Sequence, residues 1–126
     1  MKRNHQVEIG GKKLTLSLTF GTSLDILEEI GSPTDLVQTI VTSMQGRKTP
    51  ENGMVLNERM LVRILEIGNE PHEGLDFDEL GELAIDEGFT PTQGIVFGYL
   101  STMVLGRKAM EEVETAETAE GTDEGN

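Results

Sequence analysis

Two short period-two runs flank a glycine pair near the start of the chain. Val7 and Ile9 alternate with polar neighbours, Gly10-Gly11 follows, and then Leu14, Leu16, Leu18 and Phe20 alternate with Thr15, Ser17 and Thr19. The alternation predicts a β-hairpin over residues 6–20. Successive strand side chains point to opposite faces, and glycine supplies the positive φ that a tight turn needs. All four large apolar side chains of the second run then share one face. Two strands alone are marginal in water, so that face needs a cover from the rest of the chain.

After the hairpin the period changes to that of a helix. From Thr22 onwards Leu24, Leu27 and Ile30 fall on one helical face, and Gly31 ends the segment. Ser32-Pro33 opens a second helix, a serine N-cap before a first-turn proline, with Leu36, Val37, Ile40, Val41 and Met44 as its stripe. Gln45 to Gly53 follows neither period and reads as a mobile loop. Asn57 caps a third helix, with Met60, Leu61, Ile64, Leu65 and Ile67 inward and Arg59, Arg63 and Glu66 outward; Gly68 to Gly74, with Pro71, ends it.

Asp76 and Glu79 form a capping box for a fourth helix that closes at Gly88. Thr90-Pro91-Thr92-Gln93 reads as another, opening a fifth helix through Leu105 and completing an αα-hairpin. The expected architecture is α+β: one domain over residues 1–108, with an N-terminal hairpin packed on about five short helices over 22–108. Residues 109–126 carry seven acids and no base, more than half of the net charge of −13, and are expected to be a disordered acidic tail.

Charge and composition narrow the possible partners. With 23 Asp+Glu against 10 Lys+Arg, attraction to a phosphate backbone is opposed, and a 4% aromatic content without Trp leaves few stacking platforms for single strands. Nucleic acid is not an expected partner. The absence of cysteine removes disulfides and thiolate ligands and suits a reducing cytoplasm. Met1 to His5 lead into the first strand with no apolar export region behind them. The uncharged stretch Phe89 to Leu105 is too short and too interrupted by polar residues to span a membrane.

Chemistry-bearing patterns are weak. Asp76 to Glu87 matches a calcium loop at positions 1, 3, 6 and 12, but Leu80 and Ala84 occupy ligand positions, and an amphipathic helix with a capping box accounts for the same residues better. His5 and His72 are far apart in sequence and do not form a two-histidine ligand pair. No serine sits in a nucleophile elbow, and Gly10-Gly11-Lys12-Lys13 lacks the spacing of a phosphate loop. The sequence predicts no catalytic residue, metal site or cofactor, and the chain reads as a non-enzyme.

Surfaces for contact are better marked. The last helix carries a broad apolar face, Ile95, Val96, Tyr99, Leu100 and Met103, opposite the small residues Gly94, Gly98 and Ser101, so it serves either as a core helix or as half core and half docking surface. Phe97 and Val104 lie at the edge of the broad face and are candidate partner-binding residues. Met54, Val55 and Leu56 join them, because they precede the cap at Asn57 instead of belonging to a helical face. Methionine, plentiful for this length, suits both cores and adaptable binding surfaces.

The order of parts carries a resemblance. A strand ending in Leu18-Thr19-Phe20-Gly21 is followed by Leu24-Asp25-Ile26-Leu27-Glu28-Glu29-Ile30-Gly31, then three amphipathic segments and an apolar helix closing at Leu105-Gly106. Over about Gln6 to Lys108 this resembles the small phage tail assembly chaperone-like proteins of the gene-transfer-agent type. The resemblance implies a helper that binds the tape-measure protein and tail-tube subunits during tail assembly in the host cytoplasm, as a monomer or small homo-oligomer. Two other classes stay open: a structural subunit of a tail or connector, and an acidic inhibitor that mimics nucleic acid.

Overall fold

The computed structural model describes residues 3–46 and 56–109. The glycine pair makes the predicted turn: Gly10 and Gly11 have φ of 57° and 82°, joining β1 (Asn4–Ile9) to β2 (Lys12–Ser17) as an antiparallel pair with Val7 opposite Leu14. Leu14, Leu16 and Leu18 are buried together with Ile9, so one face of the hairpin is core, as the alternation requires. The turn itself is docked. Its Gly10 N–H donates to Glu87 Oε1 at 2.9 Å, and a Cβ on Gly10 would lie 2.9 Å from the Leu83 carbonyl oxygen.

Among the described residues α1 (Phe20–Glu29), α2 (Pro33–Met44), α3 (Glu58–Asn69), α4 (Phe77–Glu87) and α5 (Phe89–Leu105) follow, and residues 107–109 are helical again. The protein is therefore α+β, a two-stranded hairpin packed on helices. β2 lies on α3, β1 touches α4 and α5, and α2 with α5 forms the most extensive helix pair. The core runs through all of them, from Leu14 and Leu16 to Ile26, Leu36, Ile40, Ile64, Leu65, Leu80, Val96 and Leu100.

Two caps act as the sequence predicts. Asn57 accepts from the Met60 N–H at 3.0 Å, and Asp76 accepts from the Glu79 N–H at 2.8 Å. Asp76 is thus engaged in starting α4. The Asn57 cap orients α3 so that Leu61, Ile64, Leu65 and Ile67 are buried, with Met60 half-buried beside them.

Other boundaries differ from expectation. The hairpin covers 4–17, not 6–20, because Thr19 takes extended geometry and its side chain accepts from the Thr22 N–H at 3.3 Å, starting α1 at Phe20. Ser32 precedes Pro33 without a side-chain capping bond, the proline's preset φ opening α2 by itself. α3 continues through Gly68 to Asn69, whose buried side chain binds the loop beyond it: Oδ1 accepts from the Leu75 N–H at 3.0 Å. Thr90 is no cap. Gly88, with φ 100°, both closes α4 and opens α5, and the Thr92 hydroxyl donates to the Gly88 carbonyl at 2.7 Å. Most of the expected 45–53 loop and the expected acidic tail from 110 onwards lie outside the described residues.

Candidate functional site

The early start of α1 puts a row of large apolar side chains on the surface. A helix capped at Thr19 turns Thr22 and Ile26 into the core, with Ile30 half-buried one turn on. That leaves Phe20, Leu24 and Leu27, spaced i, i+4 and i+7, as a second stripe that is 77%, 38% and 47% exposed. Leu24 and Leu27, expected to share one face with Ile30, therefore face solvent while Ile30 is half-buried. One helix of ten residues carries two apolar stripes, and only one of them is used by the core.

α1 is anchored so that the outer stripe stays presented. Arg63 Nε donates to Glu29 Oε2 at 2.6 Å, and Arg63 Nη1 reaches Glu66 Oε1 at 2.5 Å, which ties the end of α1 to α3. At the other end, Ser17, Thr19 and Thr22 hydroxyls form a short chain, 3.2 Å and then 3.0 Å apart.

Phe20 also lines a groove of about 380 Å³ between the start of α1 and the end of α5. Leu18 and Met103 form its apolar wall. Arg107 and Lys108 are its charged lining, and among the described residues no acid lines it. On the last turn of α5, Val104 is 39% and Leu105 63% exposed. A second depression, of about 450 Å³, lies between α3 and α4, where Ile85 is 60% exposed near Phe77 and Phe89. Its charges are mostly of the opposite sign, Glu58, Asp78 and Glu82 against Arg59.

The residues singled out from sequence divide accordingly. Val104 is exposed. Phe97 is half-buried and packs against the core, as does Leu56 just before the Asn57 cap. Met54 and Val55 lie outside the described residues. Val104 thus shares the last turn of α5 with exposed Leu105, whereas Phe97 and Leu56 belong largely to packing. Sequence reasoning missed Phe20, Leu24 and Leu27. The available signal was that five apolar residues between 20 and 30 exceed what a single stripe of a short helix accommodates.

The small-residue side of α5 is open at Gly94 and Gly98, where an added Cβ would meet nothing within 4 Å. The opposite side is tightly built around Tyr99. Its hydroxyl donates to the Ser17 carbonyl at 2.5 Å, its ring lies 5.7 Å from that of His5, and burial raises its pKa well above the ordinary phenol value. Among the described residues, no three His, Asp or Glu side chains gather as a metal site, and no helix is long and apolar enough to cross a membrane. No protein-family model, curated protein or solved structure matches the chain.

Proposed function

We propose that this chain is a tail assembly chaperone-like binding protein that holds apolar helical segments of a tape-measure protein, tail-tube subunits or both during tail morphogenesis, acting without catalysis in the host cytoplasm. The observation that carries the reading is the outward stripe of Phe20, Leu24 and Leu27 on α1. An i, i+4, i+7 row of apolar side chains is the geometry by which one amphipathic helix receives another. Soluble domains rarely leave contiguous apolar surface exposed unless something binds there. The groove beside Phe20 and the exposed end of α5 extend the same surface.

The resemblance in element order from Gln6 to Lys108 supports the choice of client, and the acidic composition favours a polypeptide over nucleic acid. Co-expression with the tape-measure and tail-tube products of the same genome tests the reading. The soluble yield of the tape-measure product should rise, with the chain co-purifying as a monomer or small oligomer before it is loaded. A closed high-mass ring formed by the chain alone would favour a structural tail subunit. Unchanged client solubility at matched expression would count against a chaperone.

A further inference from the structure

We infer that the groove between α1 and α5 is the docking place of the chain's own acidic segment, residues 110–126. The groove's charge and position carry this, whatever the client is. In a chain with 23 acids and 10 bases, the charged residues that line this groove among the described residues, Arg107 and Lys108, are both basic. The depression between α3 and α4, by contrast, is lined by three acids and one base. The first groove selects an anionic occupant and the second repels one.

The occupant that fits is supplied by the chain itself. The described residues stop at Ala109, immediately after Lys108 of the groove lining, and the next seventeen residues carry seven carboxylates and no base. They also carry Met110 and Val113, apolar groups suited to a wall made by Leu18, Phe20 and Met103. Tethering makes the encounter intramolecular, so a weak contact is occupied without any gain in intrinsic affinity.

The test uses the full chain. Because the sequence has no cysteine, Thr118→Cys accepts a single nitroxide label, and the nine residues 110–118 can span at most about 30 Å from Ala109, enough to reach any part of the groove. Paramagnetic broadening should fall on Ser23, Thr102 and Met103 several-fold more strongly than on Gly81 and Ile85. It should weaken in high salt and in the Arg107→Gln/Lys108→Gln variant, whose unchanged remote resonances would report an intact fold. Mixing labelled unenriched protein with unlabelled isotope-enriched protein separates the sources. Broadening of equal size in the mixture would assign the groove to a second copy and overturn the proposal, as would broadening spread evenly over both depressions or none at all.

Discussion

Gly68 on α3 leaves room for the Tyr99 hydroxyl on α5: a Cβ at Gly68 would lie 2.6 Å from that oxygen and 3.0 Å from the ring carbon bearing it. Tyr99 in turn donates to the Ser17 carbonyl at the end of β2. One contact therefore joins the hairpin, α3 and α5. Gly68→Ala should destabilise the protein by about 1–3 kcal/mol through overpacking, despite alanine's better helix propensity. Gly94→Ala, which meets nothing within 4 Å, should be neutral or stabilise by up to about 1 kcal/mol. Urea denaturation of both variants checks the contrast, and equal effects would contradict the packing described.

The same tyrosine gives a pH signature. Burial raises the pKa of its phenol in the folded state, while in the unfolded chain it ionises near the ordinary value of about 10. Its contribution to stability is therefore full below that value and is lost as pH rises beyond it, at about 1.4 kcal/mol per pH unit. As the chain has a single Tyr, tyrosinate absorbance should appear together with loss of helical circular dichroism. Tyr99→Phe should show a shallower alkaline slope. Tyrosinate formation at an ordinary midpoint in a protein that keeps its helices would refute the buried assignment.

Asn69 should be among the least replaceable polar residues. It is fully buried, its Nδ2 donates to the Thr15 carbonyl at 3.1 Å and to the Glu73 carboxylate, and its Oδ1 receives the Leu75 N–H. Asn69→Ala should cost about 1–3 kcal/mol for each buried group left unpartnered. Asn69→Asp should not rescue it, because the donor is lost and a second carboxylate faces Glu73. Thermal unfolding of the two variants measures this.

Much of the fold was legible because local signals and tertiary demands agree. Gly10-Gly11, the caps at Asn57 and Asp76, and the inward row of α3 each have one plausible partner in the sequence, and the structure uses it. The junction at Thr19 was not legible for a physical reason. Leu16, Leu18 and Phe20 continue a strand period across a point where the chain has already turned into a helix, so the last apolar residue of the apparent strand is the first of α1. Starting the helix at Thr22 leaves Phe20 with the covered face of the hairpin and hides its place in one row with Leu24 and Leu27. The Thr90 pattern misled in a similar way, since Gly88 at positive φ serves both helix ends and leaves the threonine nothing to cap. The candidate site, lying on the misread helix, was therefore the least visible part of the molecule.

The proposed contact surface is tested most directly by comparing client capture with stability in Phe20→Gln/Leu27→Gln. Both residues are exposed, so the double variant should keep its unfolding free energy within about 0.5 kcal/mol per site. Removing two apolar side chains from a buried interface should weaken binding of the tape-measure product by about tenfold or more in Kd. Loss of capture with unchanged stability is the predicted result. Capture that survives intact in a fully folded variant would contradict the assignment of α1 as the client-binding face.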